Sequence, residues 1–585
     1  MRRPYSADSR LSKVSAEGSL LSGIKRWQLP EPLPPAYQER FPGVPSLLLR
    51  LLYNRGITSP QAMQDFLGTP SLGANPFSLP GMHQAVTRLR QAIRAGEKIA
   101  VYGDFDADGV CATAVVVETL QALGADVGPY IPHRVDEGYG LNLDALRKLY
   151  RDGVRLVVTV DCGIRSVAEV AAAQRGLDLI VTDHHSLGPE LPPAVAIINP
   201  KLPDSKYPYQ NLAGVGVAFK LAQALLLAYR QMGGQPSLTE DDLLDLVALG
   251  TVADIVPLLG ENRDLVRLGL KRLNDPQRPG LKALMAKAGV RPGEITATTI
   301  GYVLGPRLNA AGRLADAMTS YRLLTTRDPG EAEQLAAKLD ETNRQRQKLT
   351  EETLEQARAQ VLAEGVEAPL LFAAGESFLP GIVGLVAGRL TEEFYRPAVV
   401  VEVGEGQSRG SCRSIPDFHI TAALDRCRDL LTRHGGHAAA AGFTVENPNL
   451  EALRHRLRAI AEEELTGKEL VPTLAIDAEV ALSEMEWATQ ALLEQIEPCG
   501  NENPTPLFLS RGVIVRNCRP IGTDAQHLRL VLSDGRVVWD AIAFRRGMPE
   551  GGMPERIDVV YSLEAQEWNG EKRLQLVIED FRPAE

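Results

Sequence analysis

The chain has 585 residues and a net charge of −11, and a chain of this length exceeds one hydrophobic core and implies two to four domains. No apolar run approaches the roughly 20 residues that cross a bilayer, so no membrane segment is expected. The six cysteines are scattered without a CxxC pair, which argues against a zinc ribbon or a disulfide-rich secreted scaffold and favours a reduced, cytoplasmic protein.

The negative charge is only weak evidence against nucleic-acid binding, because bound divalent cations would cancel some of the carboxylates. Residues 1–80 are rich in proline, glycine and serine, and we interpret them as an irregular extension with one short helical pattern near Pro45–Tyr53. Met1–Tyr5 has basic residues but no apolar run behind them, so no signal peptide is expected.

Three β-prone runs in the next part of the chain each end in acidic residues or histidines. Alternating strands and helices of this length predict a parallel sheet with helices on both faces. Ligands of such sheets collect outside the carboxyl ends of the strands, so we expect these loops to meet at one edge. The runs and the residues after them are Ile99–Tyr102 with Asp104, Asp106 and Asp108; Leu156–Val160 with Asp161; and Leu179–Thr182 with Asp183, His184 and His185.

The first loop gathers three carboxylates within five residues, which repel one another unless a cation compensates them. A solvent-facing acidic turn, or capping of the next helix by Asp108, is the ordinary alternative. The spacing also resembles the start of an EF-hand, but Val115 stands where the bidentate glutamate should be. A divalent-metal site is therefore the favoured interpretation.

Adjacent residues that leave a strand point in different directions, so His184 and His185 should not bind one ion equivalently. We expect one to ligate metal and the other to face substrate, although a histidine pair alone could equally be structural. Carboxylates with one imidazole favour Mg²⁺ or Mn²⁺. Two such ions could activate water and neutralise charge on a phosphoryl group, which indicates a metal-dependent phosphoesterase.

Two basic segments are suited to phosphate, because guanidinium groups and hydroxyls bind its oxygens. They are Gly305–Arg313 (GPRLNAAGR) and Ser408–Ser414 (SRGSCRS). For each segment alone, a surface loop with incidental arginines remains the alternative.

The remaining elements complete an α/β protein with a different C-terminal part. Residues 241–273 are helical, with Asp254 before Pro257, and residues 331–364 form a long polar helix suited to bridging two domains. Residues 368–460 read as a smaller α/β unit. The last 115 or so residues have alternating runs and tight turns, which predict an antiparallel β domain.

Taken together, these residues resemble the DHH phosphoesterases, and the region around Gly435–His437 resembles the associated DHHA1 domain. Two further segments narrow the resemblance to the branch that degrades single-stranded DNA from its 5′ end. The resemblance runs from about residue 80 to the end. The segments are Val101–Gly109 (VYGDFDADG), Val160–Gly163 (VDCG), Thr182–His185 (TDHH) and Val252–Pro257 (VADIVP), then Leu304–Arg313 and Leu212–Phe219 (LAGVGVAF).

The resemblance implies a parallel-sheet DHH domain at residues 81–330 and a linking helix at 331–366. A DHHA1 domain at 367–465 and an OB-like domain that binds single-stranded DNA at 466–585 follow it. It further implies two divalent cations, Mn²⁺ or Mg²⁺. Asp161 would bridge them. Asp106, helped by Asp104, would hold one ion, and the other would be held by Asp108, His184 and Asp254.

The implied catalytic residues are Asp161, Asp108 and His185, with His185 facing the scissile phosphate. The implied substrate-binding residues are Arg134, Arg307, Asn309, Arg313, Ser411, Arg413 and His437. Two positions depart from the family pattern. Cys162 replaces a frequent asparagine, and Glu502 stands where glycine is expected, which puts the geometry of the Cys499–Pro504 turn in doubt.

The leading hypothesis is a single-strand-specific 5′→3′ exodeoxyribonuclease of DNA repair and recombination that releases 5′ mononucleotides. A DHH phosphodiesterase or phosphatase acting on short oligonucleotides or small nucleotides is the alternative, and an inactive scaffold is a third, disfavoured because every expected ligand is present. From the family we expect a single-strand-binding protein and a helicase as partners. We also expect a monomer and no membrane partner.

Overall fold

The structure is a computed structural model that describes residues 25–134, 137, 138, 140–522, 525–549, 551–568 and 571–584. Residues 1–24 of the expected N-terminal extension, and positions 135, 136 and 139 beside Arg134, lie outside them. No helix among the described residues is both long and apolar enough to cross a membrane.

The strands, in chain order, are β1 Arg26–Gln28, β2 Lys98–Gly103, β3 Val127–Tyr130, β4 Val154–Val160, β5 Asp178–Thr182, β6 Ala196–Ile198, β7 Leu371–Gly375, β8 Ala398–Val403, β9 Gln407–Arg413, β10 Leu431–Gly436, β11 Ala440–Glu446, β12 Thr473–Ala475, β13 Ala478–Glu479, β14 Phe508–Ile521, β15 His527–Ser533, β16 Val538–Ala543, β17 Arg556–Trp568 and β18 Glu571–Pro583.

The helices are α1 Pro35–Glu39, α2 Ser46–Asn54, α3 Pro60–Leu67, α4 Met82–Ala95, α5 Ala107–Ala122, α6 Leu143–Arg151, α7 Val167–Ala173, α8 Gly214–Gln231, α9 Leu244–Ala253, α10 Gly260–Asn274, α11 Pro279–Ala288, α12 Ala297–Thr299, α13 Gly305–Leu314, α14 Met318–Thr325, α15 Pro329–Glu364, α16 Val383–Phe394, α17 Ile420–Asp425, α18 Leu450–Leu465 and α19 Trp487–Leu493. A π-helical turn spans Ile300–Leu304, and 3₁₀ turns span Pro76–Ser78, Asp241–Leu243, Arg428–Leu430, Asn447–Asn449 and Leu482–Glu484.

The chain divides into two compact units, and the division falls within the long helix α15. The larger unit comprises residues 29–344 and 476–585, and the smaller comprises the described residues up to Gln28 and residues 345–475. The smaller unit contains a mixed sheet in the order β10-β11-β9-β8-β7, in which only β7 and β8 run parallel. It also contains the short parallel pair of β1 and β12.

The larger unit holds an all-parallel sheet in the order β3-β2-β4-β5-β6. This confirms the parallel α/β fold predicted from the alternating runs. Helix α5 is buried on nearly every face, because it packs against the sheet and against α8 and α9. Its sequence is correspondingly apolar all round, as expected of a fully buried helix.

The C-terminal strands β14 to β18 of the larger unit close into a barrel, because β14 pairs with β15 at one edge and with β17 at the other. Most pairs are antiparallel, as predicted, while β16 and β18 run parallel. This is the OB-like closed barrel that the resemblance implied, and it agrees with the β domain predicted from the alternating pattern.

The interpretation of the N-terminal extension as irregular is wrong for the described residues. Helices α1, α2 and α3 bury Tyr37, Phe66 and the leucines of α2 in one hydrophobic cluster with barrel residues such as Phe508 and Tyr561. The apolar spacing in α2 was readable from the sequence. The barrel surface that α2 covers lies more than 400 residues later in the chain, so the sequence near α2 could not predict this contact.

Candidate metal centre

The loop after β2 is held by a hydrogen bond of Asp106 within the loop and by one from Asn309, far along the chain. Asp106 caps α5 by accepting a hydrogen bond from the Gly109 N–H at 3.0 Å. The Ala107 N–H donates to Asn309 Oδ1 at 2.7 Å. Acidic side chains are stabilised at a helix N-terminus, so α5 favours a cluster of carboxylates that would otherwise repel one another.

Asp108 is oriented by a second helix N-terminus. Its Oδ2 and Oδ1 accept hydrogen bonds from the N–H groups of Gly214 at 2.7 Å and Val215 at 2.9 Å, in the first turn of α8. These uncapped N–H groups are natural partners for a carboxylate. The segment Leu212–Phe219, singled out in the sequence, therefore supports the acidic loop directly.

Asp161 follows β4 and is 2% exposed, with φ +60° in the left-handed region. Aspartate tolerates this region better than most residues. A Cβ at Gly214 would lie only 2.5 Å from Asp161 Oδ1. The glycine at the start of α8 therefore allows the close approach of the helix to this carboxylate.

Asp183 faces its own loop. Its Oδ1 accepts from the His184 and His185 N–H groups at 2.8 and 3.0 Å and lies 2.8 Å from His185 Nδ1. Its Oδ2 accepts from the Ile164 N–H at 2.9 Å. Asp183 thus orients the two histidines, and its oxygens are already engaged.

The predicted ligands converge at the carboxyl edge of the parallel sheet. His184 Nε2 lies 3.2 Å from Asp161 Oδ1 and 3.6 Å from Asp254 Oδ2. Within the described part of the chain, three groups of side chains offer ligand atoms within 4.8 Å of one another. The groups are Asp104 with Asp106 and Asp161; Asp108 with His184 and Asp254; and Asp161 with His184 and His185.

Four atoms of this cluster are buried without a hydrogen-bond partner, namely Asp104 Oδ1, Asp161 Oδ1, His184 Nε2 and Asp254 Oδ2. A buried polar group without a partner is costly. Carboxylate oxygens and an imidazole nitrogen gathered in one place, without hydrogen-bond partners, are suited to coordinate a cation. Oxygen-rich groups with one imidazole fit Mg²⁺ or Mn²⁺.

The pKa values of the cluster also favour a cation site. Burial, and then the charge of Asp106, raises the pKa of Asp104 to about 8 and that of Asp108 to about 7. Burial and neighbouring carboxylates also raise the pKa values of Asp161 and Asp254 well above their ordinary range. Burial, followed by His185, lowers the pKa of His184 to about 3. Raised carboxyl pKa values favour exchange of protons for a cation, and the lowered pKa of His184 favours the neutral imidazole that a metal requires.

Arg134 lies beside the acidic loop, with its guanidinium carbon 4.1 Å from the centre of the Phe105 ring. Burial lowers its pKa, and Asp104 and Asp106 oppose that effect. A half-buried arginine next to the carboxylates is suited to a phosphate that approaches the site. Its role in substrate binding stays a prediction.

The arginines of Gly305–Arg313 lie on α13. Arg307 pairs with Asp340 at 3.0 Å and donates to the Val303 carbonyl, so part of its guanidinium is engaged within the protein. Asn309 holds the acidic loop, as described above, and Arg313 lies half-buried in the last turn of the helix. Contacts of these three residues with substrate stay predictions.

Ser411, Arg413 and His437 belong to the smaller unit. Ser411 and Arg413 stand two residues apart on β9, with Arg413 Nη1 3.4 Å from Ser411 Oγ. A Cβ at Gly384, in the first turn of α16, would lie 3.0 Å from Ser411 Oγ. A hydroxyl, a guanidinium and a helix N-terminus at one place form a suitable anion site. The His437 carbonyl accepts from Thr421 Oγ1 at 2.6 Å.

The structure adds residues that the sequence did not single out. Asn199, just after β6, donates to the His185 carbonyl at 3.0 Å, and Lys201 Nζ donates to the His184 carbonyl at 2.6 Å. The sequence could have indicated these two residues, because they directly follow a further strand of the parallel sheet, whose carboxyl end lies at the same edge. That strand, Ala196–Ile198, was too short to stand out.

Replacing Asp183 with asparagine is expected to lower activity about 10- to 100-fold, the usual cost of losing a residue that orients a ligand. Burial alone would lower the pKa of His185, but the hydrogen bond with Asp183 raises it on balance. The variant should lose the charge of His185 at a lower pH, so the deficit in kcat should be larger at pH 8 than at pH 6. Asp178→Asn, at the other end of β5, is the control. An equal deficit at both pH values would contradict this role.

Comparisons with known proteins agree with the geometry. The family model described as DHH family, N-terminal domain matches residues 98–251; that of the DHHA1 domain matches 367–463, and that of the RecJ OB domain matches 476–580. The chain is 41% identical to the single-stranded-DNA-specific exonuclease RecJ of Bacillus subtilis over 92% of this chain and 68% of that protein.

Two crystal structures of RecJ from Thermus thermophilus have the same fold. The complex with Mn²⁺ aligns with a TM-score of 0.82 at 32% identity and covers 96% of this chain and 80% of that one. The complex with Mg²⁺ aligns with a TM-score of 0.77 at 30% identity and covers 96% and 79%. With this identity across nearly the whole chain, and with each of the three domains matched, the chain belongs to the RecJ family.

Proposed function

We propose that this chain is a divalent-metal-dependent exonuclease that degrades single-stranded DNA from its 5′ end and releases 5′ mononucleotides. The observation that carries the proposal is the set of buried acceptor atoms on Asp104, Asp161, His184 and Asp254, which lie together without partners. The names of the relatives, single-stranded-DNA-specific exonuclease, supply the substrate class.

In the proposed site, Asp104, Asp106 and Asp161 would hold one Mn²⁺ or Mg²⁺ ion. Asp161 would share the second with Asp108, His184 and Asp254. When bound, the two ions supply an activated water and positive charge for the phosphoryl oxygens. The Thermus structures, one a complex with Mn²⁺ and the other a complex with Mg²⁺, support either metal.

The chain's own residues orient the reacting groups. Asp183 lies 2.8 Å from His185 Nδ1, and this contact would orient the imidazole toward the scissile phosphate. Arg134 would bind the phosphate of the terminal nucleotide. In the smaller unit, Ser411 and Arg413 would form an anion site for a phosphate of the strand. The helix N-termini of α5 and α8 hold Asp106 and Asp108 in place, so little reorganisation is needed.

The barrel carries a feature suited to the DNA backbone. Arg519 on β14 and Arg529 on β15 stand directly opposite each other, and both are exposed. Asp540 lies 3.5 Å from Arg529 and compensates part of this charge, and a bound phosphate would compensate more of it. Phe544, which is 51% exposed, packs edge-on against His527 on the same barrel. Exposed rings of this kind can stack on bases.

The cellular assignments belong to the same proposal. The described cysteines are free, and four of them are buried, which is consistent with a reducing compartment such as the cytoplasm. We further propose a monomer that acts in DNA repair and recombination, with a single-strand-binding protein and a helicase as partners.

The test uses one single-stranded oligonucleotide labelled at the 5′ end or at the 3′ end, incubated with the protein and Mn²⁺. The 5′ label should appear as a mononucleotide from the first time points, while the 3′ label shortens gradually. An intact 5′-labelled strand would refute the proposal. A higher rate on a dinucleotide than on a long strand would favour the small-substrate phosphodiesterase instead.

A further inference from the structure

The chain leaves α9 in an unusual conformation, immediately after the ligand Asp254. Ile255 has φ +59° and is 71% exposed. Helices often place glycine at this position, because it adopts the left-handed conformation without strain. A β-branched residue there is a true outlier, and such strain persists only where the surroundings impose it.

One residue of a distant turn contacts both ends of the segment after Asp254. Asn501 Nδ2 donates to the Ile255 carbonyl at 2.7 Å, and the Asn501 carbonyl accepts from the Leu258 N–H at 2.9 Å. Leu258 is itself 2% exposed. A Cβ at Gly500 would lie 2.6 Å from Leu258 Cδ1, so the turn and the segment are in close contact.

The turn that presents Asn501 is rigid. Gly500 and Asn503 exchange backbone hydrogen bonds at 2.8 and 3.2 Å. Asn503 is fully buried, and its amide donates to the Ile496 and Pro498 carbonyls at 2.9 and 2.8 Å. Its Oδ1 accepts from Arg55 Nε at 2.8 Å. The turn leads into the first long barrel strand, so the barrel side of the larger unit determines where Asn501 lies.

Glu502 sits in this turn with φ +57°, at the position where glycine was expected from the family pattern. The left-handed geometry is therefore kept although the residue is not glycine. Glu502 is exposed, whereas Asn501 makes the contacts to the segment after Asp254. Glu502 therefore serves as a control for changes that affect the turn but not these contacts.

We infer that Asn501 is a positioning residue of the metal centre. It holds Ile255 in its left-handed conformation and so keeps Asp254 Oδ2 directed at the site, 3.6 Å from His184 Nε2. The inference rests on the proposed function in that Asp254 is taken as a metal ligand. The Cys499–Asn503 turn would then contribute to metal binding through Asn501, in addition to contacting the segment after Asp254.

Mn²⁺ binding to the full-length protein without DNA tests the inference, with free Mn²⁺ measured by electron paramagnetic resonance. Asn501→Ala should raise the Mn²⁺ dissociation constant about tenfold, the equivalent of one lost hydrogen bond. Asn501→Asp keeps the volume but loses the donor, and it should act in the same direction. Glu502→Ala, in the same turn, should bind Mn²⁺ within about twofold of the parent.

The decisive comparison repeats Asn501→Ala in an Ile255→Gly background. Glycine adopts the left-handed conformation unaided, so the effect of Asn501→Ala on Mn²⁺ affinity should shrink to about twofold or less. Equal fold-changes in the two backgrounds, or an unchanged affinity in Asn501→Ala and Asn501→Asp, would overturn the inference. The thermal midpoint of each metal-free variant establishes that it is folded.

The outcomes also separate this inference from the proposed function. A parent protein that leaves single-stranded DNA intact, but whose Mn²⁺ affinity depends on Asn501, would refute the nuclease and support the positioning role. If the parent degrades DNA, and the Asn501 variants bind Mn²⁺ as tightly as the parent does, only the positioning role is refuted.

Discussion

Replacing Asp161 with alanine is expected to lower the rate of DNA hydrolysis by at least about a thousandfold, because the two-ion arrangement stabilises the transition state by several kcal/mol. Asp161 belongs to two of the three groups of clustered ligand atoms, and it is the residue that links the Asp104 side to the His184 side. The measurement is kcat on a 5′-labelled single strand with saturating Mn²⁺.

The same variant should not be unstable in the absence of metal. Burial and the neighbouring Asp108 raise the pKa of Asp161, so its removal relieves repulsion within a buried cluster. Alanine at the left-handed φ of +60° opposes this gain, so we expect a metal-free thermal midpoint close to that of the parent, and a smaller increase on adding Mn²⁺. Asp204→Ala, an exposed aspartate in the loop after β6, is the matched control. Near-parental turnover in Asp161→Ala would exclude the bridging role.

Mn²⁺ affinity should rise about 500-fold from pH 6 to pH 8, because the ion must displace protons and each bound proton changes the affinity by up to tenfold per pH unit. The window follows from the pKa values of Asp104 and Asp108, about 8 and about 7. Calorimetric titration in two buffers of different ionisation enthalpy measures both the affinity and the number of protons released. An affinity that does not change across this range would contradict the protonated cluster.

The stability of the metal-free protein should change with pH in the opposite direction. These carboxyls have higher pKa values in the folded chain than in the unfolded one, so the folded state binds more protons between about pH 4 and pH 8. The free energy of unfolding without metal should therefore fall as pH rises through that window. Mn²⁺ should raise the thermal midpoint more at pH 8 than at pH 6. Thermal scans with and without Mn²⁺ measure this difference.

Local patterns predicted the elements that form the metal centre. The run after Lys98 became β2 at Lys98–Gly103, and the apolar stretch after the acidic loop became α5 at Ala107–Ala122. The proline after Asp254 predicted that the helix would end, and α9 ends at Ala253. These predictions were right because chain-local forces, namely side-chain periodicity and the conformational limits of proline, decide them.

The residues that orient the site were not predicted, because their contacts join distant parts of the chain. Nothing near Gly214 in the sequence indicates that its N–H binds Asp108, 106 residues earlier. Asp183 was noted only as the first residue after a strand, and only its hydrogen bonds with His185 and with the Ile164 N–H reveal that it orients the loop of the two histidines. Such contacts depend on how helices and strands pack.

By itself, the sequence determined the three strand-end clusters of aspartate and histidine, the parallel sheet that gathers them, and the all-round apolar character of α5. Those features depend on local periodicity and on the rule that strand ends in parallel sheets share one edge. Only the tertiary structure decided that the N-terminal helices pack on the barrel, and that Asn501 contacts the segment after Asp254. Packing of distant segments depends on the whole surface that each one must cover, and no local pattern encodes it.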